Sequence, residues 1–448
     1  MKPVVCAVFL VVLCASTAWA QTQPASPKPG EGGSKPSEGG QKPVEPAVPV
    51  AATSTDSEDE TGVRFVFTTR PSLRFGSMLR IDFRLKLQGD VRTFEPPDAT
   101  ESDGFEMNRR RIGIQGTFLR HFEYELEREL RQANVWRDVF VNFRYFDDFQ
   151  IRGGKFKVPF SLEQLTGPTD LDFVYRSNVV NNLSPARDVG VSVHGQFGGR
   201  VLGYDVGVFE HDGENARFDT NPGGDRTIAG RVTTRPLRLT AIEGTARELA
   251  LGFAMTSGNV AEGVNSLRGQ TTFRERFVQP VNVNGRRLRL GLEAAWEPGP
   301  FSVKTEFIRV TDERLGQGVL EEDLPPLAAR GWYVSGTWVV TGESKFGGIV
   351  PNRSLFRGGA GALELAGRYE RLGFGSSFEG ESESTSPRAA NFLETSDTAW
   401  TMGANWYVNP WIKLQFNIIR EWIEDAERSP IPDRQLFWTR VFRLQFVM

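Results

Sequence analysis

The residues best placed to do chemistry are cations that recur at alternate positions: Arg80, Arg84 and Lys86 in one stretch, Arg109 and Arg111 in the next. In extended chain, successive side chains point to opposite faces, so each set shares a face. A guanidinium offers a planar fork that donates two hydrogen bonds to one oxyanion. Basic groups around a narrow aqueous passage repel cations and lower the cost of partly dehydrating an anion. The chemistry on offer is therefore non-covalent anion recognition. Glu123, Glu125, Glu127 and Glu129 share a face one segment further on, so a second arrangement is a basic wall opposed to an acidic one, with a transverse field between them. His121, His194 and His211 are isolated and lack metal-ligand spacing, so no metal and no cofactor is expected. No Ser-His-Asp ordering, phosphate-cradling glycine loop or nucleotide fingerprint stands in a strand-to-helix context, and nothing points to nucleic acid or to an enzyme.

The elements that must carry these cations follow from a period of two. Leu73, Phe75, Leu79, Ile81, Phe83, Leu85 and Leu87 share one parity, and Arg74, Arg80, Asp82, Arg84, Lys86 and Gln88 the other. A run this long exceeds the usual globular strand and suits a tilted strand that crosses a bilayer. The pattern returns at Ile112–Phe118, Phe122–Leu130, Val139–Tyr145, Val189–Val193, Leu288–Leu292, Trp332–Trp338, Ile412–Ile418 and Leu436–Phe446, and helical spacing is nowhere sustained. The chain has 448 residues, 39% of them hydrophobic, and a mean hydropathy of −0.34, which averages to a water-soluble protein. A membrane barrel reads that way because only every second residue meets lipid. Dividing roughly 385 residues by about 24 per strand and connection predicts an all-β, transmembrane antiparallel barrel of about 16 strands. In this register an arginine at Phe83 or Leu85 should be costly, and one at Asp82 nearly neutral for folding. The net charge of −3 steers nothing, although only ten of the 53 basic residues are lysine.

The N-terminus sets the compartment. Lys2, the apolar run Val4–Leu13 and Ala18-Trp19-Ala20 form a signal peptide over residues 1–20. Its removal takes away both cysteines, Cys6 and Cys14, and excludes disulfides and thiolate chemistry from the mature chain. Residues 21–62, rich in Pro, Gly, Ser and Glu, read as a disordered linker on the side where both termini of an even-stranded barrel lie. Residues 63–448 form the barrel domain, with outer-membrane lipid as its surroundings. Short turns are expected at Arg235-Pro236, Glu297–Pro300 and Asn409-Pro410. Long polar loops are expected at 210–226, 351–358, 380–397 and 425–433, on the opposite side. The chain closes on Phe442, Leu444 and Phe446, then adds Val447 and Met448.

One stretch is more specific. Gly154-Lys155-Phe156-Lys157-Val158-Pro159-Phe160-Ser161-Leu162-Glu163-Gln164-Leu165-Thr166 is followed by Asp170, Leu171, Phe173 and Arg176, then by Leu183-Ser184-Pro185-Ala186-Arg187-Asp188-Val189-Gly190-Val191. With Asn108-Arg109-Arg110-Arg111-Ile112-Gly113, it resembles the phosphate-selective porin O/P family, most clearly from about Phe75 to Phe209. The resemblance implies a homotrimer of 16-stranded barrels in the outer membrane. In each barrel the third extracellular loop, here roughly Lys157 to Arg187, folds inward as a constriction. It implies passive diffusion of small hydrophilic solutes with an anion preference, phosphate or polyphosphate being the family's solutes. Pore-lining, anion-binding residues would then be Arg80, Arg84, Lys86, Arg109, Arg111, Lys157, Arg176 and Arg187. The sequence departs from the family at Asn108, where a second arginine is expected, and at Thr166–Thr169, where a loop lysine is expected. The competing reading is a barrel serving as surface receptor, adhesin or structural anchor, with the acidic, serine-rich 380–397 loop as its best feature. A barrel-embedded enzyme or a soluble secreted β-protein is the remaining alternative.

Overall fold

The alternation is realised as a closed wall. A computed structural model describes residues 62–95, 104–131, 135–214, 226–272, 274–376, 386–392, 394–431 and 433–448, so the expected signal peptide and linker lie outside the described residues. Two short strands, β1 (Val63–Phe67) and β2 (Pro71–Phe75), come first. The wall begins with β3 (Leu79–Glu95), β4 (Gly104–Phe118), β5 (Phe122–Glu129), β6 (Trp136–Phe143) and β7 (Gln150–Lys157). It continues through β8 (Arg187–Phe197), β9 (Leu202–Phe209), β10 (Thr227–Thr234) and β11 (Ala250–Gly263). A separate small hairpin, β12 (Gly269–Gln270) and β13 (Arg276–Val278), sits in the next connection. The wall resumes with β14 (Val283–Trp296), β15 (Phe301–Arg314), β16 (Leu324–Val339) and β17 (Ala362–Ser376). It ends with β18 (Thr395–Tyr407), β19 (Ile412–Ile423) and β20 (Leu436–Val447). Successive wall strands pair antiparallel and β20 pairs with β3, so 16 strands close on themselves. Closure leaves no row of unmet backbone groups facing lipid, which is the condition for a sheet to cross a membrane.

The two faces separate as the parity requires. On β3, Asp82, Arg84, Lys86, Gln88 and Asp90 are buried inside, whereas Phe83 and Val91 are exposed on the outside. Ile112, Val141, Val191, Leu292, Trp332, Trp338, Phe416 and Phe442 carry the same apolar exterior around the wall. Phe83→Arg should therefore cost about 2–4 kcal/mol if the site lies near the midplane. The check is folding in lipid vesicles against denaturant, read by the gel-mobility shift on boiling; an unchanged midpoint would mean this strand is inverted. Asp82 is not the tolerant control expected. It is 1% exposed, accepts from Ser72 Oγ at 2.7 Å and pairs with Arg80, whose Nε lies at 2.9 Å. A second cation there would lose both bonds.

That aspartate ties down the N-terminal hairpin. β2 pairs with only the first part of β3, from Ser72↔Asp82 to Phe75↔Leu79, while β20 takes β3 from Lys86 upward. The extra Val447 and Met448 are absorbed into the wall: Met448 N donates to Leu85 O at 2.9 Å, and Met448 O accepts from Leu85 N at 3.0 Å. The connections depart from the expected asymmetry in two places. Residues 340–361, which include the 351–358 segment expected among the long loops, join β16 to β17 at the end where the chain termini lie. Residues 235–249 join β10 to β11 at that same end and hold two short 3-10 turns, Pro236–Leu239 and Gly244–Glu248, where a tight turn was expected. Proline and glycine mark a change of direction, not the length of chain that makes it.

A loop enters the lumen. Between β7 and β8 the chain leaves the wall and carries two short helices inward, α1 (Leu162–Leu165) and α2 (Asn178–Leu183). Ser161 at φ +68° and Ala186 at φ +63° make the bends at the two ends of this loop. Phe160, Val179, Val180 and Leu183 are fully buried and form one core with Phe277, Ile308, Val310, Tyr333 and Leu372. The loop thus packs on the inner face of β14 to β17. Glycines clear the space: a Cβ on Gly331 would lie 2.8 Å from Val179 Cγ2, and one on Gly291 would lie 3.1 Å from Phe160 Cζ.

Candidate functional site

The inserted loop is seated on carboxylates supplied by the wall. A helix N-terminus leaves backbone N–H groups without partners and carries partial positive charge, so an acid there satisfies both. Glu306 accepts from Leu162 N at 2.9 Å and Glu163 N at 2.8 Å at the start of α1. Glu370 accepts from Asn178 N at 2.6 Å at the start of α2. The Asn178 amide donates to Asp397 and Glu421 at 2.7 Å each. Further along the loop, Asp172 takes Lys304 at 2.9 Å and Lys345 at 2.6 Å. Burial by itself would raise Asp172, but the two ammonium groups hold it below the usual carboxylate range. Lys345 comes from the 340–361 connection, so the loop is held from the terminal end of the barrel as well as from the wall. Arg443, fully buried, donates to Asp90 at 2.6 and 2.7 Å and to the loop carbonyl of Val174 at 2.6 Å.

The predicted cations divide into two kinds. Arg84 pairs with Glu125, Lys86 with Glu127 at 2.6 Å, and Arg111 with Glu127 at 3.1 Å and Glu129 at 2.8 Å. Arg187 forks onto Asp138 at 3.0 and 2.7 Å. The glutamates of β5 therefore neutralise the neighbouring cations strand to strand and do not stand across the lumen as an opposed acidic wall. Arg80 lies eight residues below Gln88 on β3, roughly 25 Å along the strand, and is occupied by Asp82. It does not join the others.

Arg109, Lys157 and Arg176 are different. Among the described residues Arg109 donates to the side-chain oxygen of Gln88, whose own amide reaches Pro168 O of the loop at 3.2 Å. Lys157 Nζ donates to Leu165 O at 2.7 Å and Thr166 O at 3.1 Å, and Arg176 donates to the same Thr166 oxygen at 2.8 Å and to Glu163 O at 3.0 Å. Among the described residues no carboxylate lies within ion-pair distance of these three. The acids nearest them are engaged elsewhere: Glu163 with Arg368 and Ser177 N, Asp138 with Arg187, and Asp90 with Arg443. Burial pulls the Arg176 guanidinium down to about 10, with Glu163 opposing and Arg187 and Arg111 adding to the fall, and it stays protonated at neutral pH. Asn108, where the family pattern has an arginine, sits at a register shift between β3 and β4 and donates to Asp90 at 2.9 Å. Lys413 is a cation that sequence reading missed. It donates to Thr169 O at 3.2 Å and Leu171 O at 3.0 Å, and among the described residues it likewise has no carboxylate partner.

A closed antiparallel barrel, apolar outside and charged inside, with a loop folded back to narrow its lumen, is the architecture of an outer-membrane porin. The family model for phosphate-selective porins O and P matches residues 81–447, and the chain belongs to that family. It is 22% identical over 367 residues to Porin O of Pseudomonas aeruginosa, covering 73% of this chain and 80% of that one. A Caulobacter vibrioides protein without an assigned role is 27% identical over 358 residues, covering 73% and 69%. Among solved structures, outer-membrane expressed OmpT of Vibrio cholerae superposes with a TM-score of 0.53 at 10% identity, covering 83% of this chain and 98% of that one. The outer-membrane channel DcaP of Acinetobacter baumannii gives 0.51 at 8%, covering 83% and 98%. A trimer form of the Vibrio cholerae protein gives 0.52 at 9%, covering 82% and 99%.

Proposed function

We propose that this porin passes small hydrophilic solutes by diffusion with a preference for anions of the phosphate type, and that it works as a homotrimer. The observation that carries the preference is the group Arg109, Lys157 and Arg176, gathered at the constriction without carboxylate partners among the described residues, while Arg84, Lys86, Arg111 and Arg187 are paired. Lys157 also answers the missing loop lysine. Its ammonium lies on the carbonyls of Leu165 and Thr166, at the edge of the segment where the family's lysine is expected. Held by neutral oxygens, the three side chains are not cancelled by a neighbouring acid, and the low permittivity beside the loop lengthens the reach of the charge they present to a passing anion. Loop carbonyls already occupy some of their donors, so block by phosphate should be modest. Support for the trimer comes from the family and from the trimeric form of the Vibrio cholerae relative. The test is single-channel recording in planar bilayers under a salt gradient. A reversal potential on the anion side that grows at low ionic strength is expected. A cation-side potential would overturn the anion preference, and no channel at all would favour a receptor or anchor role.

A further inference from the structure

The connection over residues 235–249 has more structure than a turn needs. Arg235, Arg238 and Arg247 all converge on one carboxylate, Glu248, at 3.5, 2.6 and 3.4 Å. Glu248 is nearly buried and Arg238 satisfies it with both Nε and Nη2, whereas the Arg247 side chain is 53% exposed. The only other acid in the segment is Glu243, which is exposed. Arg200, on the adjoining turn, lies within electrostatic reach of Arg235. This end of β10 and β11 therefore carries surplus positive charge.

Apolar surface stands beside that charge. Leu239 is 75% exposed and Ile242 is 42% exposed, in the connection between the strands that carry Val232, Leu251 and Phe253 on the lipid face. The turn is fixed to the outer rim. Trp296, on the lipid face of β14, donates its indole N–H to Ala246 O at 2.9 Å. Gly299 N donates to Thr245 Oγ1 at 2.8 Å, and Arg238 Nη1 to Gly199 O at 2.8 Å. Apolar side chains against the acyl region, an indole at the interface and a cluster of guanidiniums at headgroup depth make a preformed surface complementary to an anionic lipid.

We propose that residues 235–249, with Trp296, bind the phosphate headgroup of an anionic phospholipid in the leaflet on the side of the chain termini. Arg247 and Arg235 grip the phosphate, Arg238 stays with Glu248, and Leu239 and Ile242 meet the acyl chains. The site is separate from the pore constriction and does not depend on what the pore conducts.

The test uses the full chain reconstituted in phosphatidylcholine vesicles into which brominated phosphatidylglycerol or brominated phosphatidylcholine is titrated. Tryptophan quenching is read, and the part lost in Trp296→Phe is assigned to this site. In the unmodified protein the charged lipid should quench that part at several-fold lower mole fraction than the neutral one. Arg235→Gln/Arg247→Gln keeps Arg238 on Glu248 and should bring the two lipids to parity. Arg247→Lys should retain most of the preference, and the gel shift on boiling reports that each variant is folded. Equal quenching by both lipids in the unmodified protein would overturn the proposal. So would a preference that survives the double substitution, or one that inorganic phosphate abolishes, since the last would mark a site for a soluble anion.

Discussion

Replacing Lys157 and Arg176 together with glutamine will move the reversal potential toward cation preference and reduce the anion-to-cation permeability ratio by at least about fivefold. A unit charge at 4 Å is worth about 1 kcal/mol in bulk water and about 4 kcal/mol at an effective permittivity of 20, so two charges removed from a narrow passage exceed that ratio. The fold should tolerate the change. Both side chains donate to backbone carbonyls, and a glutamine amide can still donate. Arg109→Gln should act in the same direction with a smaller effect. Arg111→Gln supplies the contrast, because it strips Glu129 of its ion pair and leaves Glu127 to Lys86 and Arg84, and should lower stability more than it changes selectivity. An unchanged reversal potential in the Lys157/Arg176 variant, measured at low salt, would make these two cations bystanders.

The second large effect is expected at Arg443. This guanidinium joins β20 to β3 across the closure of the barrel and holds Val174 of the loop, with no water access to any of it. Removing one partner of a buried pair leaves the other charge uncompensated, at about 3–5 kcal/mol. Arg443→Met should therefore lower the denaturant midpoint and raise current fluctuations, because Asp90 is stranded and the loop loses a tether in one step. The double variant Arg443→Met/Asp90→Leu should recover much of the stability and leave the fluctuations. Recovery of both would show that the loop does not depend on this contact.

Parity along β3 to β5 was enough to place Asp82, Arg84, Lys86, Arg111 and Glu127 indoors and Phe83 and Ile112 outdoors, because a strand flips its side chains with a strict period of two. The ends of the inserted loop were legible too, from the residues around Lys157 and Arg187. Which inward residues meet was not. Glu306, Glu370, Asp397 and Glu421 are spread over more than a hundred positions and come together only because the loop leaves β7 and crosses the lumen to β15–β19. Parity says that each faces in, and says nothing of what it will face. For the same reason Arg84 and Arg111 read as free anion ligands: the glutamates stand one strand from Arg111 and two from Arg84, and only the register brings them within reach. Asp397, read as the end of a surface loop, is buried inside β18.

The short N-terminal hairpin has a consequence for the width of the pore. β2 ends its run along β3 with Ser72 opposite Asp82, and the last residue, Met448, is already bonded to Leu85. The two pieces of chain meet nearly end to end on the same strand. If β20 slid two residues further along β3, its terminus would run into Pro71. The hairpin thus acts as a mechanical stop for the closing strand, and the stagger at closure, together with the strand number, sets the tilt of the strands and the radius of the tube. A segment that never enters the passage would in this way gauge its bore.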